Sequence, residues 1–161
     1  MKKGIILSIV FSTISFVVFS KTIGSWNIYP AYFDITEIAP AGNDIFVLSS
    51  NNLFSYNIKD KSISTYDKSK NLSDCDISHI AWNGSAKKLI ITYANSNIDL
   101  LDVTGNTNNI SELYNKATIY DKTINSIMIN GIYAYLSTGF GIIKANMKNA
   151  EISETFNIGA N

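Results

Sequence analysis

The chain has 161 residues, and its 13 Lys plus Arg balance 13 Asp plus Glu, so the formal net charge is zero. This balance excludes the clustered basic excess of a nucleic-acid binder, and the single cysteine, Cys75, excludes a disulfide scaffold. With 46% hydrophobic and 16% charged residues, the composition is that of a folded protein whose length suits one domain.

Residues 1–20 form the first recognisable segment. Lys2 and Lys3 precede an apolar and hydroxyl-rich run at 4–19, which is the pattern of a secretory signal peptide. A retained membrane anchor is the alternative, but the run is shorter than the roughly 20 residues that span a bilayer. The sequence therefore predicts an exported chain that begins near Lys21 and contacts the membrane only through its signal peptide.

The rest of the chain repeats with a period above 40 residues. Segments 35–39, 77–81 and 124–128 share an Ile-x-x-Ile frame, and their first residues lie 42 and then 47 positions apart. Each frame is followed by a glycine-containing turn, an apolar run (45–48, 89–93 and 132–136) and a third element (53–58, 98–103 and 142–147). Asn57, Asp102 and Asn146 occupy one position of the third elements. A fourth element closes each repeat at 63–66, 110–114 and 152–156, and the last two share Ile-Ser-Glu-x-aromatic.

These elements have the length and composition of β-strands. They are short, rich in Ile, Val, Tyr and Phe, and bounded by Asn, Gly, Asp and Ser. The second element is apolar on both faces, which a strand tolerates only when both faces of its sheet are covered. Four antiparallel strands per repeat of this length are typical of a β-propeller blade. A β-solenoid has shorter coils, and a β-sandwich gives no reason for three matching frames.

The sequence thus predicts an all-β fold, a partial β-propeller of about three four-stranded antiparallel blades after the signal peptide. The predicted boundaries are 1–20 for the signal peptide and 21–161 for the propeller part, with blades at approximately 35–76, 77–123 and 124–161. Because a closed propeller takes about 4 to 8 blades, we expect the chain to be a fragment, or to complete its ring with another chain.

One pair of residues has the composition of a nucleophilic site. Cys75 and His79 lie four residues apart, flanked by acids, and a thiol, an imidazole and a carboxylate are the groups that nucleophilic catalysis uses. However, His79 occupies the variable polar position of its frame, where the other repeats have Glu37 and Ser126. Cys75 falls in the turn between two blades. We therefore predict no catalytic residue and no enzymatic activity.

Metal and cofactor sites are not predicted either. One Cys and one His fall short of the three or four ligands that zinc takes. Asp74, Asp76, Asp99 and Asp102 lack the spacing of a calcium loop with its closing Glu.

Aromatic residues are the remaining candidates for ligand contact. Trp26, Tyr29 and Tyr32 cluster ahead of the first blade, and Trp82 stands beside the turn at Asn83. Aromatic platforms receive sugars or peptides, but packing against a blade is the more common role of such residues. We name these four as candidates for either binding or packing.

Two segments resemble known propeller families. Segment 137–142, Ser-Thr-Gly-Phe-Gly-Ile, is similar to the regulator-type propeller repeats of Bacteroidetes, where Ser or Thr precedes a Gly-x-Gly turn. Segment 24–32, Gly-Ser-Trp-Asn-Ile-Tyr-Pro-Ala-Tyr, resembles the start of the N-terminal β-propeller of the PorZ family, a type IX secretion system component. The resemblance covers 21–161 through its blade frames. It departs from the family where Phe46, Ile90 and Tyr133 take or neighbour the place of the usual second-strand tryptophan.

The resemblance implies a non-enzymatic scaffold or binding module, secreted to the periplasm or the outer membrane surface of a Gram-negative bacterium. Secretion or sortase-like proteins at the outer membrane would be its partners, and polysaccharide a further ligand. Sugar binding in the family is attributed to a C-terminal β-sandwich, so no functional residue is carried over to this chain.

Two other functions stay open, because propellers host unrelated activities. The first alternative is the periplasmic glycan-sensing propeller of a hybrid two-component regulator, truncated before its membrane segment and kinase. The second is a polysaccharide lyase or glycosidase, which would need paired carboxylates around a central channel.

Overall fold

The computed structural model describes residues 33–118 and 120–158. The predicted signal peptide at 1–20 and the aromatic residues Trp26, Tyr29 and Tyr32 lie outside these residues. Within the described ranges, no helix is long and apolar enough to cross a membrane.

The described residues form three four-stranded sheets, and each sheet is an antiparallel meander whose strands follow chain order. The first sheet contains β1 (Ile35–Ala41), β2 (Asp44–Ser49), β3 (Asn52–Asn57) and β4 (Ile63–Tyr66). The second contains β5 (Ile77–Asn83), β6 (Lys88–Tyr93), β7 (Ile98–Asp102) and β8 (Thr107–Ile110). The third contains β9 (Ile124–Asn130), β10 (Tyr133–Thr138), β11 (Gly141–Asn146) and β12 (Glu151–Asn157). A single helical turn, α1 (Glu112–Asn115), follows β8.

The three sheets stack face to face, with the second between the other two. One apolar core joins the first and second sheets and includes Phe46 and Leu89. The other joins the second and third sheets and includes Ile90 and Leu136. Successive residues of a strand point to opposite faces, so Leu89 and Ile90, both 0% exposed, show that the second sheet is covered on both sides. Full burial stabilises each such side chain by about 1.5–3 kcal/mol.

Stacked four-stranded sheets of this kind are the blades of a propeller. The first strands of the three blades, β1, β5 and β9, lie next to one another, and β4, β8 and β12 are therefore the outer strands. The predicted fold class, a partial β-propeller with three four-stranded antiparallel blades, is confirmed.

The face of the third blade that points away from the second blade is only partly buried. In β10, Ala134 and Leu136 point inward and are 0% exposed, whereas Tyr133 and Tyr135 point outward and are half-buried. Met128 lies opposite Tyr135 on the same outward face and is 68% exposed. Burial on both faces, predicted for the second strand of every blade, holds in the first and middle blades, where 46–49 of β2 and 89–93 of β6 are buried. In the third blade it holds on one face only.

The repeated residue at the end of the third strand organises the turn that follows. Asn57, Asp102 and Asn146 are the last residues of β3, β7 and β11. Each uses its side-chain oxygen Oδ1 to accept two backbone N–H groups of the next turn at 2.8–3.3 Å. These Asx-type contacts set the reversal into the outer strand. In Asp102, the hydrogen bond from the Thr104 hydroxyl is the main cause that lowers the pKa of the carboxyl.

The outer strand of the second blade lies earlier than the sequence predicts. The segment 110–114 was aligned with 152–156 as a strand, and this alignment is wrong for the second blade, because β8 ends at Ile110 and α1 begins at Glu112. The helical turn places Leu113, which is 1% exposed, in the core between the second and third blades. Glu112 accepts the backbone N–H of Ile152 at 3.2 Å, which ties the turn to β12.

The two glycines of the Gly-x-Gly turn between β10 and β11 lie so close to neighbouring atoms that a side chain would not fit. Gly141 has a φ of +153°, and a Cβ there would lie 2.0 Å from the carbonyl oxygen of Phe156 in the neighbouring strand. A Cβ on Gly139 would lie 2.8 Å from atoms of Asp121 in the segment before the third blade. Both glycines of the segment that resembles regulator-type propellers therefore serve packing within this blade.

A buried carboxylate holds the segment that connects the first two blades. Asp99 on β7 is 0% exposed, and its Oδ2 accepts the Tyr93 hydroxyl at 2.5 Å and the Ser73 backbone N–H at 2.7 Å. Its Oδ1 accepts the Asn109 side-chain amide at 2.8 Å. Burial, together with the hydrogen bond to Asp99, raises the pKa of Tyr93. Because Ser73 belongs to the segment between the blades, this network fixes that segment against the second blade.

Substitution of Gly141 by Ala will destabilise the third blade far more than substitution of Gly131. A methyl group at Gly141 collides with the backbone of β12, so β11 and β12 must separate, at a cost of about 3 kcal/mol or more in the free energy of unfolding. Gly131 has a φ of +58° and open space around its Cβ, so Gly131→Ala carries only the backbone strain of about 1–2 kcal/mol. Urea unfolding of both variants measures the difference, and equal losses would contradict the packing described for β12.

Asp99 and Asp102, three residues apart on β7, provide a matched test of the buried network. Asp99→Asn replaces one of the two accepting oxygens by an NH2 group, which is a donor. One of the donors from Tyr93, Ser73 and Asn109 then lacks an acceptor, so we expect a loss of about 2–3 kcal/mol in the free energy of unfolding. Asp102→Asn introduces the residue that the other two blades have, and we expect a change of about 0.5 kcal/mol or less at neutral pH. Denaturant titrations of the two variants should separate them clearly, and similar values would argue against the buried network.

Candidate functional site

A β-bulge recurs in the first strand of every blade. The register shifts between Ile35 and Glu37 in β1, between Ile77 and His79 in β5, and opposite the step from Ser137 to Thr138 in β9. A bulge bends the strand and redirects the side chain that follows it. The residues that follow the bulges, one from each blade, are Glu37, His79 and Ser126.

These three residues line one cavity of about 350 Å³ beside the innermost strands. We call it the axial cavity. Its remaining lining residues are Ile38, Ile80, Asn125 and Ile127.

Glu37 and His79 are in direct contact across two blades. His79 Nδ1 lies 2.5 Å from Glu37 Oε1, and Glu37 Oε2 accepts the backbone N–H of Ile80 at 2.7 Å. An ionised carboxylate only accepts hydrogen bonds, so the hydrogen of this pair is on Nδ1. Among the described residues nothing hydrogen-bonds to Nε2, and the two side chains are 27% and 31% exposed. The contact therefore holds the imidazole in one orientation and leaves Nε2 available.

The third blade contributes neutral polar groups to the same cavity. The hydroxyl of Ser126 lies 2.7 Å from that of Ser137 on β10, and Asn125 is the bulged residue beside it. Ile38 adds an apolar wall and is 61% exposed.

The structure does not bring Cys75 and His79 together. Cys75 is exposed and lines a different cavity, of about 670 Å³, between the β2–β3 turn and the segment that joins the first two blades. Asp67 lines the same cavity. Burial raises the pKa of its carboxyl, but the hydrogen bonds from Ser69 and the charge of Lys70 outweigh burial and hold the pKa below its usual value.

The aspartates considered for calcium have separate structural contacts. Asp99 is the buried acceptor described above, and Asp102 caps the turn after β7. Asp74 accepts the backbone N–H of Cys75 at 2.9 Å and the side-chain amide of Asn95. No group of three His, Cys, Asp or Glu within the described ranges is placed to hold a metal ion.

Of the four aromatic candidates, only Trp82 lies within the described residues. It is half-buried on β5 and packs against the core between the first and second blades. Its ring stacks on Phe46 with centroids 6.0 Å apart and an interplanar angle of 20°.

The sequence analysis missed the pairing of Glu37 with His79. It did place Glu37, His79 and Ser126 at one position of the repeat, but it interpreted that position as a variable polar position of the strand. The signal was available, because equivalent positions of adjacent blades lie side by side once the blades stack.

Three four-stranded blades packed around a row of innermost strands define a β-propeller module. A family model described as "TSS9, PorZ, N-terminal beta-propeller domain" matches residues 45–161, and the chain belongs to this family. A search among curated proteins finds no match.

Solved structures agree with this assignment. PorZ of Porphyromonas gingivalis, described as an essential bacterial surface component of the type IX secretion system, is 32% identical with a TM-score of 0.71, and the match covers 74% of this chain and 16% of that one. AztD of Citrobacter koseri has a TM-score of 0.60 at 16% identity, with 78% of this chain and 34% of AztD covered. The extracellular domain of a hybrid two-component system from B. thetaiotaomicron has a TM-score of 0.60 at 15% identity, with 77% and 17% covered. The last two show the fold alone, and the chain spans only a small part of PorZ.

Glu37→Gln should reverse the tautomer of His79. The Gln carbonyl can accept the Ile80 N–H, and its amide then donates to His79 Nδ1, which moves the ring hydrogen to Nε2. His79 is the one histidine of the 161-residue chain, so ¹³C and ¹⁵N chemical shifts of labelled histidine at mildly alkaline pH report this ring alone. We expect the Nδ1–H form in the wild type and the Nε2–H form in the variant. An Nε2–H ring in the wild type would contradict the geometry.

Proposed function

We propose that the chain is part of a non-enzymatic, exported docking module of a type IX secretion component. The match of the family model over residues 45–161 is the observation that carries this proposal. The structure of PorZ, described as a surface component of that system, supports the same role. The signal peptide predicted from Lys2, Lys3 and the apolar run that follows is consistent with export.

The packing of the blades suits a rigid platform. The middle blade is covered on both faces, and the Asp99 network fixes the segment between the first two blades. A docking surface that is ordered before its partner arrives loses less conformational entropy on binding. By similarity to PorZ, the proposed partners are proteins of the secretion apparatus at the outer membrane.

Three acidic side chains serve contacts within their own turns. Asp60, Asp102 and Asp121 accept hydrogen bonds from residues two positions ahead in their own turns, and these contacts lower the pKa of each carboxyl. A general acid needs a pKa raised toward the working pH, so the lowered pKa of these three carboxyls does not suit that role.

Deletion of the gene in the bacterium that encodes it tests the role. We expect type IX cargo proteins to accumulate in the periplasm and to disappear from the medium, as measured by immunoblotting of cell fractions. The wild-type gene and a Cys75→Ser variant should both restore export, since the exposed thiol has no part in the proposed role. Protease treatment of intact cells should cleave the protein at the surface.

Unchanged cargo export in the deletion strain would refute the proposal. Loss of a transcriptional response to a polysaccharide, with export intact, would instead identify the propeller as a sensor.

A further inference from the structure

We propose that the axial cavity binds the ammonium or guanidinium group of a lysine or arginine side chain presented by a protein partner. The proposal rests on the docking role above, and it adds the chemistry by which one partner group is recognised. The juxtaposition that carries it is the Glu37–His79 pair, held across two blades beside Ser126 and an exposed isoleucine.

The polar groups that the cavity offers are mainly hydrogen-bond acceptors. With the ring hydrogen donated from Nδ1 to Glu37, the neutral imidazole presents the lone pair of Nε2. Each oxygen of the Glu37 carboxylate accepts one hydrogen bond and keeps a further lone pair. The Ser126 hydroxyl and the Asn125 carbonyl can also accept. A ligand rich in donors and without acceptors matches this arrangement, and Lys and Arg side chains have that character.

The charge of the cavity also favours a cationic ligand. Glu37 is the one formally charged group among the lining residues, apart from His79 when protonated, and no Lys or Arg of the described ranges lines the cavity. A carboxylate without a cationic partner other than an imidazole repels anions and attracts cations. Hydrogen bonds between ionised partners are roughly twice as strong as neutral ones, so a cation gains most from Glu37.

The apolar lining residues can contact the methylene groups of a bound lysine or arginine side chain. Ile38 on β1 lines the cavity and is 61% exposed, and Ile127 lines it from β9 of the third blade. Lys and Arg bury their methylene stems along apolar surface while the charged head stays among polar groups. A free inorganic cation would make no use of Ile38, and the described residues lack the ligand set that a metal needs.

The bulges explain why the site is specific to this arrangement of blades. The extra residue in β1 and β5 shifts the strand alternation by one position, which changes the face of the sheet on which Glu37 and His79 lie. The same local irregularity in all three blades places one polar residue from each at the shared cavity. The site therefore exists only when adjacent blades are stacked.

Titration with Nα-acetyl-lysine methylamide tests the proposal directly. The readout is the ring resonance of His79, which is unique in the chain. We expect a saturable shift with the lysine probe and with its arginine counterpart, in the millimolar range. The norleucine and glutamate analogues, which retain the stem or reverse the charge, should produce none.

Glu37→Gln and Glu154→Gln form a matched pair for the same titration. Both remove one negative charge, but Glu154 pairs with Lys144 at 2.8 Å on the outward face of the third blade, away from the cavity. We expect the probe to bind about tenfold or more weakly to Glu37→Gln and unchanged to Glu154→Gln. If Glu37→Gln does not fold, Ser126→Lys replaces it, since a tethered ammonium beside the cavity should exclude the probe.

Several results would overturn the proposal. These are no saturable shift with the lysine probe, equal binding to wild type and Glu37→Gln, and unchanged binding to Ser126→Lys. A shift with methyl glucoside or zinc chloride but not with lysine would assign the cavity to a sugar or a metal ion instead. None of these results bears on cargo export in the deletion strain, so the docking role stands or falls separately.

Discussion

Burial of the middle blade on both faces is the constraint on which the rest of the structure depends. β6 has apolar residues on both sides of the sheet, and Leu89 and Ile90 reach full burial only because a blade covers each face. Since the hydrophobic contribution scales with the area removed from water, separation of either neighbour would expose a whole sheet face. The stacking that follows from this constraint also aligns the three blades strand for strand. Alignment of the first strands is what creates the row that borders the axial cavity.

Polar groups then decide how the stacked blades are joined. Asp99 is a buried carboxylate that would be costly without partners, and it is satisfied by three donors, one of them from the segment between the blades. Glu37 has a comparable role at the inner edge, where it accepts the Ile80 N–H of the adjacent blade. Unpaired N–H groups at the edge of a sheet are free to pair with other chains, so this contact also blunts the edge of β5. A structural contact and the proposed binding role therefore coincide in one side chain.

The fold separates one pair of residues with reactive side chains and brings another pair together. Cys75 and His79 are neighbours in sequence, but they line different cavities. Glu37 and His79 are 42 residues apart and come within 2.5 Å. A bound imidazole with one nitrogen oriented by a carboxylate is a common arrangement in binding and catalytic sites, because the orienting contact determines which nitrogen faces the ligand. The proposed binding of a lysine or arginine side chain relies on this arrangement.

The amino-acid sequence was enough to predict the blades, because strand composition, turn residues and the period of the repeat are local or periodic properties. It also aligned Asn57, Asp102 and Asn146 at one position of the repeat, and the structure shows that each of them organises the turn that follows. Tertiary structure decided the segment 110–114, where burial of Leu113 between two blades favours a helical turn over the strand that the Ile-Ser-Glu match predicts. It also decided the Glu37–His79 contact, because a pair across blades forms only after stacking and leaves no local pattern. The repeat register aligned Glu37, His79 and Ser126, and only the packing of the blades brought them to one cavity.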